Sequence, residues 1–200
     1  MPDPDALIAI SSQLERGEID SAQFLEQLAR FMAGRIECSR AGVWFFIDTQ
    51  AGRVLRCAAM YDASRDGMVA TPDIPNADVG PFFEALLRDG CLLAEDARAH
   101  PALVDLQAGY IAPLDIHSKL GICFTVNGVL LGVFSCEQCG TSKVWTPRHL
   151  QSLRQIGSHA SLALMRAASS IVDTAPGALW HTADPNRVTT LPMPLGPKDS

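Results

Sequence analysis

Two apolar runs in the second half of the chain are separated by two turn-forming residues. The runs cover residues 120–126 and 129–136, and Asn127-Gly128 lies between them. A two-residue type I′ turn needs positive φ at both central positions, and Asn and Gly adopt this conformation at the lowest cost. Because β-branched residues occur on both sides of the turn, the pattern predicts a β-hairpin.

Amphipathic helical patterns lie on both sides of this hairpin. Apolar residues at helical spacing occupy 147–171. Thr146-Pro147 predicts the start of this helix, since Thr caps free N–H groups and Pro suits the first helical position. Near the N-terminus, Asp20 and Gln23 have the spacing of a capping box at the start of another helix. A shorter helix precedes it, and its apolar stripe comprises Leu7, Ile10 and Leu14.

Shorter elements occupy the middle of the chain. Residues 39–48 and 54–60 are predicted strands with a turn between them. A short helix is predicted over 79–88, and Gly90 ends it. A further short strand is predicted within 91–97. Helices at both ends and strands between them indicate an α/β (α+β) fold.

The composition divides the chain into three parts. Residues 1–18 hold the N-terminal helix, and residues 19–171 form the main domain. Residues 172–200 are rich in Pro and lack an apolar period, so they predict a disordered tail. The alternative for this tail is a short docking peptide around Leu179-Trp180, its bulkiest apolar pair.

The charge of the chain argues against two classes of partner. The 200 residues include 16 Lys and Arg against 22 Asp and Glu, which gives a net charge of −6. Because nucleic acids and anionic membranes attract clustered basic residues, we expect neither as a partner. The longest uncharged stretch, 120–136, is broken at its middle by Asn127-Gly128 and predicts buried sheet. With no basic, apolar leader at the N-terminus, we expect a cytoplasmic protein.

Residues that carry chemistry are scattered. Cys136 and Cys139 form a lone Cys-x-x-Cys, whereas structural zinc needs four ligands. We therefore predict incidental thiols, with a metal or redox site as the alternative. Among the histidines, His100 and His117 are expected in loops. For each, an ordinary loop or surface histidine is the better expectation, and a haem or metal ligand is the alternative. No nucleophile–base pattern is recognisable, so a non-catalytic module is favoured.

The second half of the chain resembles a GAF domain. Gly-Val-Leu-Leu-Gly-Val-Phe-Ser-Cys-Glu at 128–137, then Trp-Thr-Pro at 145–147 and an Ala-rich helix, are similar to the C-terminal half of that family. The helix before Ser39-Arg40 and the strand through Val43-Trp44 are similar to its first half. The resemblance covers about 20–171. It implies a central antiparallel sheet with the N- and C-terminal helices on one face and a loop-roofed pocket on the other.

The resemblance also implies candidates for ligand contact. Strand alternation puts Ser135 and Glu137 on one face and Phe134 and Cys136 on the other. A Glu buried against helices would be costly without a partner, so the face with Ser135 and Glu137 is the predicted pocket wall. From the loops above it, the candidates are Phe82, Asp96, His100, Tyr110, His117 and Ser118.

Three functional hypotheses follow. GAF domains are small-molecule-sensing modules of signalling proteins, many of them bacterial, so the first is a sensor that acts through a partner protein. The second is a thiol-based reductase of free methionine sulfoxide, although the cysteine signature of that branch is not matched. The third is a pure interaction module. The sequence names neither ligand nor cofactor, and the Cys-His motif of bilin attachment is not matched.

Association between copies is also predicted. Ser158, Leu162 and Met165 lie on a second stripe of the final helix, at the spacing of a two-helix seam. The family commonly pairs through its terminal helices, so we expect a homodimer. The N-terminal stripe at 7–14 is the predicted other half of a four-helix interface.

Overall fold

The predicted hairpin forms part of a seven-stranded antiparallel sheet. The computed structural model describes residues 4–50, 52–126 and 128–172, and the predicted tail lies outside them, apart from residue 172. The strand order is β3-β2-β1-β7-β6-β5, and β4 pairs with β2. In chain order the elements are α1 (Pro4–Glu15), α2 (Ser21–Ile36), β1 (Arg40–Thr49), β2 (Gly52–Asp62), β3 (Gly67–Met68), β4 (Ile74–Pro75), α3 (Asn76–Asp89), β5 (Leu92–Ala94), a 3-10 helix (Pro101–Leu106), a π-helical turn (Gln107–Ile111), β6 (Ile116–Val126), β7 (Val129–Cys139) and α4 (Pro147–Val172).

Two glycines explain the geometry of the hairpin and its neighbour β1. Gly128 has a φ of +76°, as the predicted turn requires, and Asn127 lies outside the described residues. Gly132 packs so closely on β1 that a Cβ atom there would lie 1.8 Å from the carbonyl oxygen of Trp44. Only glycine therefore permits β1 to pair with β7 at this point.

The helix starts follow the predicted caps. Asp20 accepts a hydrogen bond from the backbone of Gln23, whose side chain accepts one from the backbone of Asp20. At α4, the hydroxyl of Thr146 accepts from the His149 N–H at 3.3 Å, and the imidazole of His149 accepts from the Thr146 N–H at 3.1 Å. His149 thus takes the part that Glu or Gln has in an ordinary capping box.

Helices α1, α2 and α4 pack together on one face of the sheet. Their buried stripes include Leu28 of α2 and Leu153 of α4, which have no exposed surface. Leu7, Ile10 and Leu14 of α1 are buried in the same layer of the same chain. The prediction that this stripe forms half of a dimer interface is therefore wrong. None of the described helices combines the length and apolarity needed to cross a bilayer.

Helix α3 and residues 101–111 cover the opposite face of the sheet, and we call them the roof. They enclose a second apolar cluster against β1, β2, β6 and β7. The predicted alternation along β7 is confirmed, because Phe134 and Cys136 lie in the helix layer while Val133 lies under the roof. The sheet with helices on one face and a roof on the other is the predicted fold class.

Candidate functional site

A buried carboxylate lies between two cations under the roof. The strand register pairs Glu137 on β7 with Lys119 on β6 and with Arg40 on β1. The ammonium of Lys119 lies 2.5 Å from Glu137 Oε1, and Arg40 Nη1 lies 3.5 Å from Oε2. From the roof, the hydroxyl of Tyr110 donates to Oε1 at 2.8 Å. All four side chains are almost completely buried.

The cations keep Glu137 ionised. Burial opposes ionisation, but Lys119, Arg40 and the hydrogen bond from Tyr110 together hold the pKa of Glu137 below its ordinary value. Burial and the adjacent carboxylate raise the pKa of Tyr110 well above its ordinary value, so its hydroxyl remains a donor. Arg40 also stays charged. Burial acts against its charge, but Glu137 together with smaller effects from Tyr110, Cys139 and Asp62 outweighs burial and raises the pKa of Arg40.

Hydrogen bonding in this cluster is incomplete. Among the described residues, Arg40 Nε and Nη1 and Glu137 Oε2 have no hydrogen-bond partner. Asp62 on β2 lies 4.0 Å from Arg40 Nε, and its side chain is 17% exposed. The buried charges of Arg40, Lys119 and Glu137 therefore sum to one positive charge. Asp62, which is partly exposed, is the next carboxylate beyond Glu137.

Aromatic rings complete the site. The indole of Trp44 donates to the hydroxyl of Ser135 at 3.2 Å and packs edge-on against Tyr110, with ring centroids 5.7 Å apart. The ring of Phe82, on α3, covers Gly121 and lies 5.7 Å from the Lys119 ammonium. The cavity left between these groups has a volume of about 10 Å³, which is room for about one water molecule. We call this site the roofed pocket. Its lining comprises Trp44, Leu55, Ile74, Phe82, Leu106, Tyr110, Lys119, Val133 and Ser135.

A sheet with helices on one face and a roofed pocket on the other is the arrangement that the family resemblance implies. A family model described as GAF domain matches residues 20–164, which is more than half of the chain. The chain belongs to the GAF domain family.

Solved structures of GAF domains share the fold at low sequence identity. The phycocyanobilin-bound GAF domain from a cyanobacterial phytochrome is 12% identical, with a TM-score of 0.67, over 85% of this chain and 97% of that one. The blue-light-absorbing form of the Thermosynechococcus elongatus PixJ GAF domain is 17% identical, with a TM-score of 0.62, over 87% and 97%. The Stigmatella aurantiaca phytochrome photosensory core module is 17% identical, with a TM-score of 0.58, over 82% and 36%. No curated protein matches the chain.

Four of the eight candidate ligand residues meet at the roofed pocket of this GAF domain. Phe82 and Tyr110 come from the roof, and Ser135 comes from the sheet. Glu137 lies directly beside Lys119 of the lining. The structure brings these four together because β7 alternates correctly and the roof folds back over it.

The other four candidates have structural contacts outside the pocket lining. Asp96 accepts from the backbone of the loop that follows it, and His100 accepts from the Ala102 N–H at 3.2 Å to cap the 3-10 helix. His117 lies on β6 and not in a loop as predicted, and its ring is 3.2 Å from Asp115. The buried hydroxyl of Ser118 donates to the Glu95 carbonyl and accepts from the Lys143 N–H, each at 2.7 Å. This last side chain therefore ties two loops to the start of β6.

Sequence reasoning missed three residues of the site, namely Arg40, Trp44 and Lys119. A signal was present, because Arg40 and Lys119 are charged residues next to long apolar strand runs. A charge at such a position indicates either a strand end or a buried ion pair. Only the register of β1, β7 and β6 decides between these alternatives.

Four of the six thiols of this GAF domain are poorly suited to redox chemistry. A hydrogen bond with Cys38, together with burial, raises the pKa of Cys136 well above its ordinary value. Burial raises the pKa of Cys57 to about 12 and that of Cys123 and Cys139 to about 11. These thiols stay protonated at neutral pH, and the thiolate is the reactive form. Within the described ranges no group of three or more His, Cys, Asp or Glu has the geometry of a metal site.

A wider groove lies on the helix side of the sheet, between β6 and α4. Its volume is about 330 Å³, and Arg154 and Ser158 of α4 lie on its rim beside Thr125 of β6. Gly157 forms part of its floor, where a Cβ atom would lie 3.0 Å from Ile122. This groove is separated from the roofed pocket by the sheet.

Proposed function

We propose that this GAF domain is a non-catalytic sensor that binds a small molecule in the roofed pocket and acts on a partner protein. The observation that carries the proposal is the buried group of Arg40, Lys119, Glu137 and Tyr110 beneath aromatic side chains. Buried charges are costly to maintain, and titratable groups with shifted pKa values cluster at functional sites. Convergent polar groups in an apolar, aromatic pocket are what a small ligand needs for orientation.

We infer that the structure is a closed form of this sensor. A cavity of about 10 Å³ is far below the several hundred Å³ of ordinary ligand pockets. Ligand entry therefore requires movement of the roof. Two of its features suit such movement: Pro81 inside α3 lacks a backbone donor, and the π-helical turn carries Tyr110. A ligand that binds the open form better would shift the population towards it.

One of the similar solved structures is a GAF domain with bound phycocyanobilin, which is a bilin. In its closed form the roofed pocket does not fit such a group, because Trp44, Phe82 and Tyr110 fill the space, and none of the described lining residues is a cysteine. We therefore infer a ligand much smaller than a bilin. The reductase hypothesis has no comparable support, since the raised pKa values of Cys57, Cys123, Cys136 and Cys139 disfavour thiolates.

Ligand binding would be transmitted to the partner protein through the layer of helices α1, α2 and α4. Leu162 of α4 is 47% exposed and Ile8 of α1 is 52% exposed, on helices that pack against each other. We infer that α4 pairs with a second copy of the chain, as the seam at 158–165 predicts. A cytoplasmic location and a downstream signalling protein belong to the same proposal.

Equilibrium dialysis against a bacterial metabolite extract, followed by mass spectrometry, tests the pocket. The wild type is compared with Gly121→Leu, whose added side chain would occupy the space between Gly121 and the ring of Phe82. Gly80→Ala is the control, since a Cβ atom there meets nothing within 4 Å. Thermal melting establishes that all three proteins fold. We expect a compound that the wild type and Gly80→Ala enrich and Gly121→Leu does not. Equal recovery from all three would overturn the proposal.

A further inference from the structure

One side of β6 is unpaired towards the end of the strand. Within the described residues, β5 pairs with β6 only at residues 119–121, so residues 122–126 have β7 as their single neighbouring strand. In antiparallel pairing, every second residue of such a strand directs its N–H and C=O groups away from the partner, where another strand can bind them. We call residues 122–126 the open edge. It borders the wider groove, whose opposite side is formed by α4.

The open edge lacks the features that usually protect an edge strand. Its sequence, Ile-Cys-Phe-Thr-Val, contains neither a charge nor a proline, either of which hinders the addition of a strand. The register shift after Phe124 leaves the extra residue, Leu131, on β7, so β6 keeps its regular alternation. An edge of this composition is a template for strand addition.

The chain itself contains a segment of matching length and composition. Residues 173–200 follow α4 and lie outside the described residues. Among them, consecutive β-branched residues occur once, as Val-Thr-Thr within the run 187–191, and such residues favour strands. Pro185 and Pro192 bound this run on its two sides. The run has five residues, as does the open edge.

The direction of α4 decides how this run would meet the open edge. Trp145, just before α4, donates to the residue of β5 that pairs with Lys119. Further along the helix, a Cβ atom on Gly157 would lie 3.0 Å from Ile122. Helix α4 and β6 therefore run in the same direction. A chain that turns back after the end of α4 would meet β6 antiparallel.

The connection is long enough for this return. Ser161, the groove residue nearest the end of α4, is about 16 Å from that end at the helical rise per residue. The 14 residues 173–186 span up to about 46 Å when extended. The run can therefore reach the whole open edge without strain in the connection.

We propose that residues 187–191 add to the open edge as an antiparallel strand and cover the wider groove. The register places Leu191 opposite Ile122. Pro192 then falls where β5 already occupies the edge, so its missing N–H costs no ladder hydrogen bond. The inference does not depend on the ligand of the roofed pocket, which lies on the other side of the sheet.

Amide hydrogen exchange of the full chain, followed by NMR residue by residue, tests the added strand. The connection holds the run at an effective concentration of about a millimolar, which favours pairing. We expect the open-edge amides that point away from β7 to exchange about tenfold or more slowly in the wild type than in the double variant Thr189→Pro/Thr190→Pro. Adjacent prolines remove a donor whichever alternation the added strand has.

Two controls distinguish undocking from a general loss of stability. The open-edge amides that point towards β7 are the internal reference, and their exchange should not change. Thr182→Pro is the matched variant, because it alters the same part of the chain outside the run and should leave the slow exchange intact. A synthetic peptide of residues 184–194 should restore slow exchange in the double variant, and the same peptide carrying both substitutions should not.

The outcomes separate this occupant from others. Fast exchange of the outward amides in the wild type would overturn the inference, because the edge would then be open. Slow exchange that survives in the double variant would also overturn it. If that protection fell on dilution, a second copy would be the occupant, and if Trp180→Ala abolished it, the segment around Leu179-Trp180 would be. None of these variants alters the roofed pocket, so each result leaves the proposed sensor to its own test.

Discussion

Replacing Glu137 with Gln should destabilise the domain far more than an ordinary polar substitution. The amide has nearly the shape of the carboxylate, so packing is preserved. However, the change leaves Lys119 at 2.5 Å and Arg40 at 3.5 Å without their buried counter-charge. Removal of one partner from a buried ion pair costs about 3–5 kcal/mol of unfolding free energy, because the remaining charge stays desolvated. Here two cations lose the same partner, so we expect the upper part of that range.

The same geometry predicts an asymmetry between the partners. Lys119→Met leaves Glu137 with the hydroxyl of Tyr110 at 2.8 Å and with Arg40. The cost should therefore be lower, about 1–3 kcal/mol, as for a lost hydrogen bond to a charged group. In the double variant, neither the Lys119 ammonium nor the Glu137 carboxylate is present, so no lysine is left buried without its counter-charge. Its destabilisation should fall short of the sum of the two single effects by about 0.5–3 kcal/mol.

Urea unfolding of the four proteins, followed by far-UV circular dichroism, measures these free energies. Glu18→Gln is the matched control, because Glu18 is paired with Arg16 on the exposed surface and its loss should cause no measurable change. The reasoning would be refuted if Glu137→Gln unfolded within about 1 kcal/mol of the wild type. Additive single effects would show that the two side chains are not coupled.

Three further perturbations test other features. The fold holds the pKa of Glu137 below its ordinary value. The ionised carboxylate therefore stabilises the folded state fully above the pKa of Glu in the unfolded chain, which is about 4.3. This stabilisation is lost as the pH falls through the lower pKa of the folded state. The stability difference between wild type and Glu137→Gln should therefore narrow in urea titrations from about pH 5 to about pH 3, and a constant difference would contradict this assignment. Gly132→Ala should destabilise by about 3 kcal/mol or more, since its Cβ atom would lie 1.8 Å from the Trp44 carbonyl oxygen. Gly121→Ala, whose Cβ atom would make ordinary contacts at 3.7 Å, is the control, and equal melting temperatures would show that β1 can move away. Leu162→Glu should shift sedimentation from dimer towards monomer with the melting transition retained, and a monomeric wild type at tens of micromolar would refute the seam.

Local sequence patterns determined the elements and the two faces of the sheet. Three local features depend on only a few adjacent residues each, so they can be predicted directly from the sequence. They are the turn at Gly128, the capping box at Asp20 and the cap at Thr146. Alternation along β7 has the same local character, and it correctly assigned Ser135 and Glu137 to the face under the roof. These patterns also support the family resemblance, which depends on the order of the elements.

The chemistry of the pocket was decided by the tertiary structure. Arg40 and Lys119 are 97 and 18 residues from Glu137, and only the pairing of β1 and β6 with β7 brings their charges together. Contacts between strands that are distant in the sequence depend on register, and no local pattern reports register across β1 and β7. For the same reason Asp96, His100 and His117 looked as suitable as Tyr110. What separates them is the path of the roof, which turns Tyr110 onto Glu137, whereas Asp96 and His100 bind the backbone of their own loops and His117 of β6 contacts Asp115.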